Sequence, residues 1–400
     1  MTKKVIVELG LHINQTPNFV KTARENDLNV YLIEGSTKIK NNKALVSLFD
    51  KTFIAENNDF EKINAWLKQQ INIIGLISFE EDWLITTAKL NKSLNLLGTS
   101  LRSVTQTINK VKTHELLAKA GIPTAEYKVV NTLAEARSFA DIIGYPLILK
   151  PTNKKGSKGV IKVKNEIKLP QAFKECLSFC DNSQVLIEQY IKGNEFSLEG
   201  IVSSKGLCLF GITEKFLFPG TTVEKMHITP LKKFSPKNMW NLANTVTNTL
   251  NISFGPFHIE CFDAKDNVYV NEVHTRFGGD NITKITSLAS NNNIHEILIK
   301  DLLKRPFEYT PIYSTDKTVA VSFIGAKTGT ISELNLSILD SKKVVLSDLR
   351  IKLHQKVKYP ENSYDRLGWF IVKGIDRKDV LKKVLKIESA IEIKVKKDEH

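Results

Sequence analysis

A chain of 400 residues, 42% apolar and 25% charged, suffices for about two to four structural units with cores of their own. No run approaches the ~18–20 apolar residues that a bilayer span needs. Met1-Thr2-Lys3-Lys4-Val5 enters a short apolar stretch with no secretory h-region, so a cytoplasmic protein is expected. The formal charge of +14 raises the question of nucleic acid, but the basic residues are mostly Lys interleaved with Glu and Asp. No zinc finger, RNA-binding strand or basic recognition helix is recognisable, and a diffuse positive field equally suits polyphosphate and carboxylate ligands.

In chain order, strand signals at 5–10, 30–33 and 73–78 alternate with helical signals at 18–24, 59–70 and 81–91. This pattern predicts a small open parallel sheet covered on both faces. It lacks a G-x-G-x-x-G fingerprint, which argues against a dinucleotide site. From about 107 the texture changes: a helix over 110–120 ends at Gly121, with Pro123 soon after. Two β-rich blocks with helices follow, roughly 125–190 and 190–310. A final block carries strands at 318–324 and 369–372, a helix over 377–385 and a strand near 391–395. Cys176, Cys180, Cys208 and Cys261 lie among apolar neighbours without zinc spacing and read as buried thiols.

Three clusters carry chemistry. In the first, Lys150 closes the apolar run Leu147-Ile148-Leu149 and Pro151 stops it. A lysine buried there is costly unless an anion neutralises it. The turn Gly156-Ser157-Lys158-Gly159 offers backbone N–H groups of the kind that cradle phosphate. In the second, Val185 to Gln189 meets a Gly193-Asn194 turn, and Glu195, Ser197 and Glu199 share one face of the returning strand because strand side chains alternate. The third is the most informative. Phe257 to Asp263 and Val268 to His274 flank a turn near Asp266, which sets Glu260 opposite Glu272, on one face with His258 and His274. Like charges opposed across a ladder repel. A divalent cation between them would remove the conflict, and hard oxygen ligands favour magnesium, with phosphates completing its shell. Arg276 and Gly278-Gly279-Asp280 follow directly.

In this order the clusters resemble the ATP-grasp superfamily, whose pattern opens with an Asp/Asn-Lys on a linker helix, here Asn109-Lys110. The resemblance implies that Lys110 and Lys150 contact ATP phosphates and that the Gly156–Gly159 loop, with Ser157 and Lys158, closes over them. It places adenine against the backbone of Glu188, Gln189 and Tyr190 and the ribose at Glu195. Magnesium, or manganese in its place, would lie at Glu260 and Glu272, with Arg276 at the transferred phosphate or a substrate carboxylate. His274 stands where many members have Asn, and as an imidazole it is left out of the metal set. Within the superfamily, Ile77-Ser78-Phe79-Glu80, Leu96 to Ser100, Ile212 to Lys215, Val223 to Pro230 and Asp365-Arg366-Leu367-Gly368-Trp369 are similar to the L-amino-acid ligases. In those enzymes the residues spaced as Glu224 and His227 lie at the acyl substrate.

The resulting expectation is an α/β and α+β chain with an ATP-grasp fold. It has an N-terminal open parallel-sheet domain over 1–105, a core over 106–315 in two subdomains (about 106–190 and 191–315), and a small α+β domain over 316–400. The expected activity is ATP-dependent ligation of a small-molecule carboxylate to an amine through an acyl phosphate, releasing ADP and phosphate, with an amino acid as one substrate. No specific nucleic acid and no membrane is expected as partner, and a homodimer is compatible with the chain. The alternatives are an ATP-grasp carboxylase or purine-pathway synthetase and a non-catalytic nucleotide-binding protein.

Overall fold

The computed structural model describes residues 3–152, 158–181, 183–265, 267–311 and 314–396. At the N-terminus, strands β1 (Lys4–Leu9), β2 (Leu28–Glu34), β3 (Lys51–Ile54) and β4 (Ile73–Ile77) form a parallel sheet of order β3-β2-β1-β4. β1 is buried along nearly its whole length, as a strand covered on both faces must be. The connections are helices: α1 (Thr16–Glu25), the short α2 (Ser36–Asn41) and α3 (Lys43–Val46), and α4 (Phe60–Lys68). The helix expected over 81–91 begins instead as a 3-10 turn, Glu81–Trp83, and continues as α5 (Leu84–Ser93). That turn leaves Glu81 half-buried beside Arg276, 2.9 Å from its guanidinium.

Two linker helices follow, α6 (Leu101–Ile108) and α7 (Lys110–Lys119). The break between them is made by Asn109, whose extended backbone ends α6 while its side chain accepts the Lys112 N–H at 3.0 Å and starts α7. α7 stops where Gly121 takes a left-handed φ of 72°. Strands β5 (Tyr127–Val130), β6 (Leu147–Pro151), β7 (Ile161–Val163) and β8 (Val185–Gln189) form an antiparallel sheet of order β5-β8-β6-β7. Helices α8 (Leu133–Ile143) and α9 (Leu169–Leu177) cover it, and their apolar faces close a core around Phe139, Phe173 and Cys176.

The largest sheet is built from β9 (Asn194–Ser203), β10 (Gly206–Leu217), β11 (Glu224–Thr229), β12 (Gly255–Ala264), β13 (Asn267–His274), β14 (Thr318–Ile324), β16 (Leu346–Leu349) and β18 (Gly368–Gly374). Its order is β13-β12-β9-β10-β11-β14-β18-β16. The pairing of β11 with β14 carries the sheet across residue 315, so C-terminal strands extend the same ladder. Helices α10 (Pro236–Thr249), α11 (Ile282–Ser290) and α12 (Ile294–Leu302) pack on it. α12 also packs on α1, where Phe19, Phe79, Phe277 and Ile294 join the N-terminal unit to the large sheet in one core. A last sheet of β15 (Gly329–Asn335), β17 (Lys356–Val357) and β19 (Glu392–Lys396), in order β17-β15-β19, accompanies α13 (Arg377–Ala390). α13 buries Val380, Val384 and Ile387 against β14 and β18. The four cysteines are thiols. Among the described residues no helix is long and apolar enough to cross a membrane.

Candidate active site

The site starts from a hairpin. β12 and β13 pair so that Glu260 faces Glu272 and His258 faces His274, with an irregularity just beyond Glu260 that takes up Asn271. The turn residue Asp266 lies outside the described residues. β9 lies on the other side of β12, with Ser197 opposite Glu260 and Glu199 opposite His258. Period-two alternation thus gives the three strands one polar face, while Phe196, Leu198, Ile259 and Val273 turn into the core.

Lysines close over this face. Lys215 of β10 places its Nζ 2.6 Å from Glu260 and 2.9 Å from Glu195. Lys110, the first residue of α7, is 2.8 Å from Glu272. Lys150, at the end of β6, is 3.6 Å from the same carboxylate and 2.8 Å from Glu188. The repulsion expected between Glu260 and Glu272 is therefore already relieved by amines, and the anion expected beside Lys150 is the protein's own Glu188. Burial works to raise the pKa of both hairpin carboxyls, but Lys215 at Glu260 and Lys110 at Glu272 hold them well below the usual range. Glu195 goes the other way: burial pushes it up against the pull of Lys215. His258 bridges Glu199 at 2.9 Å and Glu260 at 3.1 Å; burial alone would lower its pKa, and Glu199 carries it up to about 9.

One ligand atom from each of Glu260, Glu272 and His274 lies within 4.8 Å of the others. Two carboxylate oxygens and an imidazole within that span fit a divalent cation, and His274, left aside on sequence grounds, stands with the pair.

The hairpin forms the floor of a cleft of about 1010 Å³. Lys110, Glu224, His227, Glu260, Glu272 and Arg276 line it, together with His12, Phe79 and Glu81 of the N-terminal unit and Arg366 from the C-terminal segment. Lys150, Glu188 and Glu195 are not among its lining residues and are tied into the ion pairs above. Gln189 is occupied by a backbone bond from its N–H to Glu126 O at 2.8 Å, and Tyr190 lies under Lys162 at 3.4 Å from the ring centre. Neither lines the cleft, nor do Lys158 and Gly159; Gly156 and Ser157 lie outside the described residues.

Glu224 and His227 lie on β11. Burial and the nearby Asp280 raise Glu224 to about 7. Asp280 is gripped bidentately by Arg366, with Nη1 at 2.8 Å and Nη2 at 2.5 Å, and Arg366 lies 4.0 Å over the Phe323 ring. Arg276 is held by Glu81, at 2.9 and 3.2 Å. Sequence reasoning assigned no role to Lys215, Glu81, Arg366 or His114. Lys215 had a usable signal, since it alternates with Glu214, which faces outward to Arg377. The partners of Glu81 and Arg366 come from chain segments far away, and no local pattern announces them.

Residues 143–284 match the family described as the ATP-grasp domain. The chain is 30% identical over 212 residues to the carbamoyl phosphate synthase large chain of Pyrococcus furiosus, covering 51% of this chain and 20% of that one. The L-amino acid ligase of Bacillus licheniformis superposes with a TM-score of 0.81 at 19% identity, over 98% of this chain and 99% of the other. Residues 143–284 thus form an ATP-grasp domain, in a chain with the ATP-grasp fold. Another structural neighbour is the biotin carboxylase domain of the Hydrogenobacter thermophilus 2-oxoglutarate carboxylase, solved with MgADP and bicarbonate. It superposes with a TM-score of 0.74 at 15% identity, over 98% of this chain and 91% of that one. ATP-grasp enzymes use ATP and Mg2+, and the superfamily includes ligases, carboxylases and synthetases. The chain spans less than half the length of the curated relatives it matches.

Proposed function

We propose that this chain is an ATP-dependent carboxylate–amine ligase with an amino acid as one substrate. The observation that carries the reading is the convergence of Lys110 and Lys150 on Glu272, opposite Glu260, on the floor of one cleft. Amines and a carboxylate pair so placed can hold the phosphates of a triphosphate. In this reading Lys110 and Lys150 bind phosphate oxygens, the segment ending in Lys158 and Gly159 covers them, and Glu188, Gln189, Tyr190 and Glu195 receive adenine and ribose. Glu260 and Glu272, with His274 beside them, would hold magnesium, which supplies positive charge to the phosphates when bound.

Arg276 orients the substrate carboxylate for in-line attack on the γ-phosphorus, giving an acyl phosphate and ADP. Glu224 and His227 face the acyl group. The amine of the second substrate then attacks the acyl carbon, the C–O bond to phosphate breaks, and the amine loses a proton. Positioning and fixed charge carry such a transfer. We take 1–105, 106–315 and 316–400 as the three functional parts, with the cleft where they meet.

The test is phosphate release from Mg-ATP across a matrix of amino acids and amines, with mass spectrometry of products. Amide formation with ADP release is the expected result. The likeness to carbamoyl phosphate synthase and to a biotin carboxylase domain favours one second reading, a carboxylase or synthetase. ATP turnover that depends on bicarbonate and ignores amino acids would select it.

A further inference from the structure

One buried imidazole near the site has no part in the reaction described above. His114 lies on α7 one turn after Lys110, at the i,i+4 spacing that puts both on one face. Its side chain is 1% exposed, and its Nε2 is 3.1 Å from Glu188 Oε1. The contact lies off the line a hydrogen bond needs, and neither ring nitrogen nor Glu188 Oε1 has a hydrogen-bond partner among the described residues. The ring packs on Tyr127 at 4.9 Å, and Tyr127 is the register partner of Glu188 across the β5–β8 ladder.

These contacts close a circuit. Lys110 binds Glu272, Glu272 lies beside Lys150, Lys150 binds Glu188, and Glu188 meets His114, back on the helix where the path began. The circuit ties the four-stranded sheet to the eight-stranded sheet through one turn of α7. Burial alone would raise the pKa of Glu188, but Lys150 and then His114 bring it down to about 2.

We infer that His114 is a positioning residue for nucleotide binding, which holds Glu188 in place when Lys150 turns from Glu188 to the phosphates of a nucleoside triphosphate. This rests on the ATP reading of the cleft. Lys150 and Glu188 are each only 5% exposed, so a Glu188 that loses its amine has no water to take over. A buried carboxylate left without a partner is strongly unfavourable, and that loss would oppose the movement of Lys150 to phosphate. An imidazole N–H at Nε2 gives Glu188 a donor at that moment. The off-line geometry of this contact fits one that tightens only when the lysine leaves.

The experiment titrates the full chain with adenosine and with a non-hydrolysable ATP analogue plus Mg2+, by calorimetry, for wild type, His114→Leu and His114→Gln. The leucine variant should bind the triphosphate about tenfold more weakly, with adenosine affinity unchanged, and should raise KM for ATP far more than it lowers kcat. The glutamine variant, whose amide can donate to Glu188, should recover to within about threefold of wild type. If His114→Leu does not fold, His114→Met takes its place. Equal losses for adenosine and triphosphate would reduce His114 to a packing residue, and wild-type affinity for the triphosphate in the leucine variant would remove any role. A wild-type chain that binds no ATP analogue overturns the nucleotide reading, and this inference with it.

Discussion

Glu8 is enclosed at the end of β1, where Thr16 Oγ1 donates to its Oε1 while Oε2 has no hydrogen-bond partner among the described residues. Burial pushes its pKa from 4.5 up to about 8. A raised folded value means that the stability this proton confers is complete below the unfolded pKa and is lost as pH rises through about 8. Glu8→Gln keeps the shape and the acceptor for Thr16 but removes the titration. Its stability relative to wild type should climb between pH 5 and pH 8, by up to ~2–4 kcal/mol. Thermal melts at both pH values check this; a constant offset would mean that Glu8 ionises normally. At this scale the sequence is partly legible. A glutamate inside Val5-Ile6-Val7-Glu8-Leu9 is conspicuous in an apolar run, but whether it finds a cation depends on neighbours that only the packing supplies.

At the scale of elements, the hairpin was readable because its register follows from counting outward from a short turn. The lysines above the hairpin were not readable as its partners: Lys110 and Glu272 are 162 residues apart in the chain. Their presence reverses a stability argument. From the strands alone, removing Glu272 relieves repulsion with Glu260 and should leave the protein unchanged or firmer. With Lys110 at 2.8 Å and Lys150 at 3.6 Å, removing the charge takes the carboxylate from Lys110 and leaves Lys150 to its closer partner Glu188. Glu272→Gln should therefore lose ~1–3 kcal/mol in urea unfolding without nucleotide, and should also abolish Mg-ATP turnover. A stability gain would mean that the cross-strand repulsion outweighs both ion pairs.

Over the whole molecule, the N-terminal parallel sheet was legible because strands and helices alternate there at short range. The large sheet was not, since β9, β12 and β14 find their neighbours through long connections and β14 carries it across residue 315. That continuity brings Arg366 of the C-terminal segment to Asp280, and the 3-10 turn brings Glu81 of the N-terminal unit to Arg276. Segments from three regions of the chain thus wall one cleft, an arrangement suited to keeping a reactive acyl phosphate from water. The proposed chemistry makes a prediction at this scale. In the proposed reading the lysines and the carboxylate pair hold the terminal phosphates, so the nucleotide product should be ADP and not AMP. With oxygen-18 in the substrate carboxylate, one labelled oxygen becomes the bridge of the acyl phosphate and leaves with phosphorus when the amine displaces it. Mass spectrometry of the released phosphate should find that label in step with amide formation, while the carboxylate alone gives slow ATP hydrolysis by leakage to water. Unlabelled phosphate during amide formation, or AMP with pyrophosphate, would rule out an acyl phosphate formed on the γ-phosphoryl group.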